Sequence, residues 1–467
     1  MRFPIVLLIG TALAGCTVGP EYVRPQAALT PGYVTAATIA PADPQWWRRF
    51  DDPVLDRIVA QVLNQNLDIA AAAARIDQAR AAAGLAHANL LPAIDLGASA
   101  ETDHISQQTP FGSASRELGF PRDYNLYQAG AQASWEIDLF GGLTRRQQAA
   151  RAELGASTAD AAAVRLSMVA EAADAYLQLR GLQARLAVAQ DQDNVSTSLV
   201  GLIRQRVDQG LSAPRDLNRT IGEEQGVAAT IPGLRAGIAG EMNRLDVLMG
   251  VQAGHSREWL SAAHAIPLAP DASGASDPAQ LMRRRPDIVA AEQRLIAANA
   301  RIGSAMAERY PKLSLTGLLG AATLGGGSLL SDGAFQASGM AGLRWRLFDF
   351  GRIDAEIAQA RGRDAEALAL YRGSLLRATA EVETALVQLV ESRREAELRA
   401  HQVAVLTQAR DQVRGAYQAG AVALLDVLDA DRALLDASDR LAQARAGAAR
   451  ASVAAVRALG GGYGEAT

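Results

Sequence analysis

The chain has 467 residues, and its 46 basic and 50 acidic side chains give a formal net charge of -4 at pH 7, which offers no basic surface for nucleic acid. A single cysteine excludes an internal disulfide and a cysteine zinc site, and five scattered histidines show no metal-ligand spacing. Abundant alanine with only 5% aromatic residues is typical of long packed helices.

The N-terminus carries the pattern of a lipoprotein signal peptide. Arg2 precedes a short apolar stretch, and residues 13–16 (LAGC) form a small-residue cleavage site that ends in a cysteine. The pattern resembles a bacterial lipobox and predicts that residues 1–15 are removed and that Cys16 is lipidated. Because Thr17 follows rather than aspartate, the resemblance implies transport to the outer membrane. The alternative is a plain secretory signal, or a short buried helix in which the cysteine is incidental.

Four pairs of landmarks show that the chain is two copies of one pattern. Asp68 lies 24 residues before Pro92, as Asp287 lies 24 before Pro311. Gly141 lies 69 residues before Gly210, as Gly351 lies 69 before Gly420. The predicted segments are, in order, the signal peptide (1–15), a lipid-anchored extended segment (16–52), repeat 1 (53–250), a connector (251–278), repeat 2 (279–459) and a loose tail (460–467).

The first copy begins with a helical pattern and changes to a strand pattern. Apolar residues recur every three or four positions from Leu55 to Ile76, which predicts one helix from about Pro53 that stops before Pro92. From Pro92 the period becomes two, as it does from the matching proline of the second copy. The four predicted strands lie at about 92–101, 125–140, 311–319 and 337–350.

Each copy closes with a long helical hairpin. A helical pattern of nearly 70 residues begins after Gly141 and again after Gly351, and would extend about 100 Å. Glycine adopts the left-handed conformation that ends a helix, so Gly210 and Gly420 predict the hairpin turns. The turns are expected at 207–216 and 417–426, and the return helices at 213 to about 250 and 422 to 459.

The predicted strands have the length and alternation of membrane-crossing strands. A tilted strand needs about ten residues to cross a membrane. Two hairpins cannot close a barrel, and an open edge in lipid leaves backbone groups unpaired, so the chain is expected to pool strands with copies of itself. A dimer would supply eight strands and a trimer twelve, and this reasoning does not choose between them. The alternative is a pair of ordinary surface hairpins.

Several motifs together resemble the outer-membrane factor (TolC-like) family, and within it the NodT-type lipoprotein branch. The motifs are the lipobox, Trp46-Trp47, Asn66-Leu67-Asp68-Ile69, Arg284-Arg285-Pro286-Asp287-Ile288 with Ala291-Glu292, Tyr310-Pro311, residues 347–351, and Leu425-Asp426-Val427-Leu428-Asp429-Ala430. The resemblance covers nearly the whole chain from Cys16 to about Leu459.

The resemblance implies a mainly α fold with a β-barrel part, built from two tandem repeats. In it, long α-helical hairpins form a periplasmic barrel, and four membrane-spanning strands per chain complete a twelve-stranded barrel in a homotrimer. It also implies a tunnel for drugs or other small molecules, delivered by an inner-membrane efflux transporter and a periplasmic adaptor protein. No catalytic residue, cofactor or metal is expected, and the predicted location is the outer membrane with a large periplasmic part.

The hairpin turns hold the candidate gate. Asp426 and Asp429 are three residues apart and share one helix face, so in a trimer they would form two carboxylate rings that favour cations. The alternative is that Asp426 complements the helix dipole and Asp429 pairs with Arg432. Asp216 matches Asp426 in the first copy, and Arg219 stands where a second aspartate would be.

The resemblance also assigns roles to the turn residues. Tyr417 aligns with a tyrosine of the closed-tip latch, with simple helix packing as the alternative. Val422 replaces an arginine of that latch, and Arg215 or Arg219 is predicted to supply the cation instead. The exposed turns implied to dock the adaptor are Gly210 with Leu211 and Gly420 with Ala421.

Two other functions fit parts of the pattern. A periplasmic adaptor lipoprotein also has a lipid anchor, but it would carry one hairpin flanked by compact β domains. A non-conducting envelope scaffold would have the hairpins without a pore. An enzyme is not expected, because the sequence shows no metal cluster, phosphate-binding glycine loop or paired nucleophile and base.

Overall fold

The computed structural model describes residues 17–26, 31–274, 277–325 and 327–461. The predicted signal peptide, Cys16 and the last six residues lie outside the described residues. The described chain divides into two compact units. The first unit takes its residues from Met1–Pro25, Asp77–Ala156 and Glu292–Leu370, and the second from Gln26–Ile76, Ser157–Ala291 and Tyr371–Thr467.

The chain is mainly helical, with a short 3-10 turn at Trp46–Phe50 before the first α-helix. The strands are β1 (Ile39–Ala40), β2 (Ala93–His104), β3 (Asp123–Ile137), β4 (Ala272–Ser273), β5 (Lys312–Leu324) and β6 (Phe335–Arg344). The helices are α1 (Pro53–Gln65), α2 (Leu67–Ala88), α3 (Pro110–Glu117), α4 (Gly142–Asp208), α5 (Pro214–Ala228), α6 (Ile231–Leu248), α7 (Arg257–Leu260), α8 (Pro278–Arg284), α9 (Pro286–Ala307), α10 (Arg352–Gln418) and α11 (Leu424–Ala458).

The first unit contains one four-stranded antiparallel sheet in the order β2-β3-β5-β6. The register pairs Ala133 of β3 with Ile94 of β2, and Trp135 with Leu315 of β5. The two copies therefore meet in the middle of the sheet, where β3 of copy 1 pairs with β5 of copy 2. The other two strands, β2 and β6, form the edges of the sheet.

In the same unit α4 and α9 pack through small residues. Ala149 and Ala152 are buried against Ala297 and Ala300. An added Cβ at Gly142 would lie 2.9 Å from the Ala307 methyl group. Small side chains let the two helices approach closely, as the alanine-rich sequence predicts.

The residues that follow the predicted lipidation site lie against this unit. Val18 donates its N–H to the Phe140 carbonyl (3.1 Å), and Arg145 donates to the Val18 carbonyl (3.2 Å). Gly19 crosses Gly303 so closely that a Cβ on Gly19 would lie 2.3 Å from the Gly303 Cα. The start of the described chain is thus fixed at the junction between β3 and α4.

The core of the second unit forms around the aromatic residues that precede α1. Trp46 and Trp47 pack edge to face with ring centroids 5.9 Å apart, and both are buried. Tyr176 of α4 is fully buried and donates its hydroxyl to Asp52 (2.5 Å). Burial and this hydrogen bond hold the pKa of Tyr176 well above its usual value. Asp52 also caps α1 by accepting from the Val54 N–H (2.8 Å).

The structure corrects the single helix predicted from Pro53 to the region before Pro92. The helix is divided at Asn66, whose backbone is extended. The Asn66 Oδ1 accepts from the N–H groups of Asp68 and Ile69 and so caps α2. Its Nδ2 donates to the Leu248 carbonyl at 2.9 Å. A residue that resembles a helix interior in the sequence is therefore a cap, because its side chain competes with the backbone.

Two further sequence expectations are corrected. The return helix predicted from residue 213 to about 250 is interrupted between α5 and α6, because Pro232 has no N–H to donate to the preceding turn. The strand predicted at 337–350 ends at Arg344. The segment between β2 and β3 contains the short helix α3. None of the described helices is both long enough and apolar enough to cross a membrane.

Candidate gate at the hairpin tips

The two hairpin turns have the same backbone structure. Gly210 (φ 70°) and Gly420 (φ 76°) adopt the left-handed conformation that follows a helix end. The N–H of Leu211 bonds to the Arg206 carbonyl and the N–H of Ala421 bonds to the Ala416 carbonyl, each at 2.8 Å. These bonds satisfy carbonyls that the helix ends leave free. An added Cβ at either glycine would meet no atom within 4 Å, so both turns are open on this side.

The carboxylates of the second tip are exposed on the first two turns of α11. Asp426 accepts a hydrogen bond from the Ala423 N–H at 2.9 Å and so stabilises the start of the helix. Asp429 lies one turn later and is also exposed, whereas Val427 between them is buried. The two aspartates thus share the solvent-facing side of α11, as their spacing predicts.

The alternative pairing of Asp429 with Arg432 is not the contact that the structure records. The Arg432 Nη1 lies 3.8 Å from the Glu223 Oε1 of α5 instead. A turn apart on one helix, Asp429 and Arg432 both line a groove of about 830 Å³ between α4, α6 and α11. Asp436 and Asp439 line the same groove, so its surface carries several carboxylates.

Tyr417 joins the two tips. The Arg206 Nη1 donates to the Tyr417 hydroxyl at 2.8 Å, and the guanidinium carbon lies 5.7 Å from the centre of the tyrosine ring. The predicted cation was Arg215 or Arg219. The described contact of Arg215 is with Asp216, at 3.7 Å.

Sequence reasoning missed Arg206 because it looked for a cation after the turn. The repeat does indicate this contact. Tyr417 and Arg206 each lie within four residues before the glycine of their turn, so they occupy matching positions at the ends of α10 and α4. Helices that end side by side bring such residues together.

Two ion pairs above the tips were also missed. Arg414 of α10 contacts the buried Asp431 of α11, with nitrogen–oxygen distances of 3.2 and 3.3 Å. Arg185 of α4 contacts Asp439 of α11 at 2.6 Å. The first pair holds the second hairpin together, and the second pair joins the two hairpins of the chain. Arg185 and Asp439 are 254 residues apart, and Arg414 and Asp431 lie on different helices of the hairpin, so neither pair follows from the spacing on one helix.

In the first tip, Asp216 lies in the first turn of α5 and is half-buried beside Arg215. Leu211 is exposed in the turn, as is Ala421 in the second turn. The described part of the chain therefore brings Tyr417 to Arg206, and it leaves Asp426 and Asp429 exposed and Asp216 half-buried. Such a surface can attract cations and can present an apolar turn to another protein, without any reacting group.

Comparisons with known proteins agree on one family. A family model described as outer membrane efflux protein matches residues 58–251 and 278–461. The pyoverdine export outer membrane protein OpmQ of Pseudomonas putida is 32% identical over 424 residues, which cover 90% of this chain and 88% of that protein. Outer membrane protein OprJ of Pseudomonas aeruginosa is 30% identical over 472 residues, which cover 98% of this chain and 95% of that protein.

The fold agrees with these relatives. The solved structure of the outer-membrane channel OprN matches with a TM-score of 0.85 and 32% identity, over 96% of this chain and all of that one. The two long helical hairpins and the four-stranded sheet also differ from the single hairpin and compact β domains expected of an adaptor. The chain belongs to the outer membrane efflux protein family and is an outer-membrane channel component of an efflux system.

Proposed function

We propose that three copies of this chain form a tunnel that passively conducts small molecules across the outer membrane, and that the hairpin tips close its periplasmic end. In this proposal Asp426 and Asp429 form two carboxylate rings at the entrance, and Asp216 adds a third charged position. Tyr417 and Arg206 hold the tips of one chain together in the closed state. The observation that carries the proposal is the exposure of Asp426 and Asp429 on one side of α11, beside the Arg206–Tyr417 bond.

The partners in this proposal are a periplasmic adaptor and an inner-membrane efflux transporter. The adaptor would dock on the open turns at Gly210 with Leu211 and at Gly420 with Ala421, where an exposed small or apolar residue follows a glycine that no neighbouring atom crowds. Lipidation at Cys16 would anchor the chain, since acyl chains bind a membrane without a spanning helix. The cargo is whatever small molecule the transporter delivers, so the conduit itself needs no narrow specificity.

The test is single-channel conductance and cation selectivity of the purified protein in planar bilayers. Asp426→Ala with Asp429→Ala is expected to raise conductance or lower cation preference, because the charged constriction is removed. Asp191→Ala is the matched control, since it removes an exposed carboxylate of α4 far from the tip. Pores that respond equally to both changes would place the gate elsewhere. A folded trimer that never conducts would favour the non-conducting scaffold.

The latch is tested separately. Tyr417→Phe removes only the hydroxyl that accepts from Arg206, and Arg206→Ala removes both the hydrogen bond and the charge over the ring. Both variants are expected to open the channel more often than the native protein, with the larger effect for Arg206→Ala. An unchanged open probability in both variants would remove the latch from the proposal and leave the carboxylate rings.

A further inference from the structure

A groove opens in the second unit at the place where α11 ends and α9 begins. It encloses about 640 Å³, a volume that a small molecule can fill. Its walls come from α4, α10 and α11 and from the turn between α8 and α9, so all of its lining belongs to one unit. The apolar part of the lining consists of alanines from all three helices, together with Leu166 and Pro286.

Three arginines and two carboxylates line the groove, so its charge is positive. The Arg285 guanidinium contacts both carboxylates, those of Asp287 and Glu381, each at 2.7 Å. Arg377 and Arg457 are exposed, and neither forms an ion pair with any described residue. The carboxylates of the groove are thus already bound to one arginine, and the other two arginines remain available to an anion from solution.

The two available guanidiniums come from different helices. Arg377 belongs to α10, and its Nη1 lies 3.3 Å from the point that an added Cβ at Gly373 would occupy. The glycine, one turn earlier, therefore leaves the space in which this side chain lies. Arg457 belongs to the last turn of α11. The groove thus receives positive charge from two separate walls.

The corresponding positions of copy 1 carry no charge. The counterparts of Arg377 and Arg457, 210 positions earlier, are Ser167 and Val247. Val247 is 69% exposed in the last turn of its helix, so a return helix of this repeat can end without a cation at this position. The two arginines are therefore a feature of copy 2, and the shared fold does not require them.

The groove lies on the side of the helices that faces away from the connector. On α11, Ser452 donates to the Pro270 carbonyl of the connector at 2.7 Å, whereas Ala454 of the groove lies about 200° further around the helix. On α10, Glu383 accepts from the Thr35 N–H of the extended segment, and the groove residue two positions earlier faces the other way. A tunnel needs a helical face that no connecting chain crosses, and the groove opens on such a face.

We propose that this groove binds a small organic anion on the wall of the tunnel. Arg377 and Arg457 contact the carboxylate, sulfonate or phosphate groups of the anion, and the alanine lining contacts its apolar part. Guanidinium groups suit such oxyanions because they present paired N–H donors. Binding is expected to be weak, since a conduit must release what enters it. The inference rests on the proposed function, because the groove faces a tunnel only when copies of the chain assemble.

The groove and the carboxylates of the tip act on different parts of the path. Arg457 follows Asp429 by 28 residues on α11, which is about 42 Å along the helix. This separation exceeds the Debye length of about 8 Å at physiological ionic strength. The arginines therefore act on an anion that has already passed the entrance, and they leave the charge of the gate unchanged.

Binding of naphthalene disulfonate to the detergent-purified protein tests the groove. This probe carries permanent negative charges on an apolar ring, and its fluorescence anisotropy reports binding. Arg377→Gln and Arg457→Gln are each expected to raise the Kd about fivefold, because each removes a charged donor at a partly exposed site. Arg372→Gln is the matched control, since Arg372 is an exposed arginine of α10 that does not line the groove.

A neutral probe tests the chemical class of the ligand. Naphthalenediol has the same ring with hydroxyl groups in place of the sulfonates, and it is expected to bind more weakly than the disulfonate. Equal binding of the two probes would overturn the assignment of an anion. Equal losses of affinity in Arg372→Gln and in the two groove variants would reveal a general effect of net charge and overturn the site. A native protein that does not bind the disulfonate would also overturn it.

Channel recordings separate the groove from the conduit. In planar bilayers the disulfonate is expected to reduce the single-channel current of the native protein more than that of Arg377→Gln with Arg457→Gln, because bound probe occupies part of the tunnel. Equal reduction in both proteins would overturn the placement of the groove on the tunnel wall. Protein that binds the probe through the two arginines but never conducts would support the anion site and overturn the conduit. Pores without arginine-dependent binding would support the conduit and overturn the anion site.

Discussion

The two copies of the repeat make the same backbone contact at the end of their return helices. Gly250 has a φ of 71°, and a Cβ there would lie 2.3 Å from the Gln65 carbonyl oxygen. Gly460 has a φ of 83°, and a Cβ there would lie 2.4 Å from the Arg284 carbonyl oxygen. In both copies, then, only glycine permits the approach of the return helix to the first helix of the copy.

The side chain that completes this junction differs between the copies. In copy 1 the Asn66 Nδ2 donates to the Leu248 carbonyl at 2.9 Å. In copy 2 the corresponding residue is Arg285, which donates to the corresponding carbonyl of Ala458 at 3.3 Å. Asparagine completes the junction without charge. Arginine brings a charge that is 10% exposed, and it is neutralised by Asp287 and Glu381, each 2.7 Å away. The same backbone contact is thus completed by a neutral side chain in copy 1 and by a charged, ion-paired side chain in copy 2.

Replacing the junction glycines should have the largest effect on stability. Gly250→Ala and Gly460→Ala each add a strained φ and a collision with a backbone oxygen, and should cost about 3 kcal/mol of unfolding free energy. Thermal unfolding followed by circular dichroism measures the loss. Gly254→Ala is the matched control, because Gly254 has a φ of 94° but nothing within 4 Å of an added Cβ. It should cost about 1 kcal/mol. Equal losses in all three variants would mean that the close approach is unimportant.

Removing the junction side chain should show the difference between the copies. Arg285→Ala leaves two carboxylates and a carbonyl without their donor, and should cost about 3 kcal/mol. Asn66→Ala removes a helix cap and one buried hydrogen bond, and should cost about 1–2 kcal/mol. Denaturant unfolding of the two variants measures both. Arg285→Asn is the informative control: a loss as large as that of Arg285→Ala would show that the ion pairs, and not the carbonyl contact, matter in copy 2.

The repeat, the helical hairpins and the strand alternation could be predicted because each rests on residue periods and on glycines at fixed offsets. The division at Asn66 was missed because the apolar period continues across it, although its side chain caps α2 and is also held by a carbonyl 182 residues away. Arg206 was missed because a cation was sought after the turn, although the repeat places Arg206 beside its partner Tyr417, which lies 211 positions away. Local patterns specify elements, whereas contacts between copies depend on how those elements are brought together.

Acid sensitivity should distinguish the copies at the helix–strand junction of the first unit. Glu308 follows α9, and its counterpart in copy 1 is the neutral Asn89. Burial opposes ionisation of Glu308, but hydrogen bonds from Lys312 (2.6 Å) and Arg346 outweigh it and lower the pKa of the carboxyl. A carboxyl whose pKa is lowered in the folded state contributes stability above its unfolded-state pKa of 4.5. That contribution is lost as the pH falls through the pKa of the folded state.

Glu308→Gln should therefore reduce the loss of stability on acidification below about pH 4.5, by less than about 1 kcal/mol because the cluster is partly exposed to solvent. Unfolding temperatures measured between pH 7 and pH 3 provide the check. Asn89→Asp places an acid at the corresponding position of copy 1, where the two cations are absent. Added to Glu308→Gln, it should not restore the pH dependence of stability. An unchanged pH profile in Glu308→Gln would show that other carboxylates govern acid unfolding.

The smallest effect on stability is expected at the tips, where the comparison bears on function. Asp426→Asn keeps an oxygen that can accept from the Ala423 N–H and loses only the charge near the helix dipole, so it should cost about 0.5 kcal/mol. Asp216→Asn loses a half-buried charge beside Arg215 and should cost no more. Conductance should separate them, because only the second copy continues with a further carboxylate one turn later, where the first copy has Arg219. If cation selectivity falls in Asp426→Asn and not in Asp216→Asn, the gate belongs to copy 2. If both variants behave alike, the two tips contribute equally to the entrance despite their different charges.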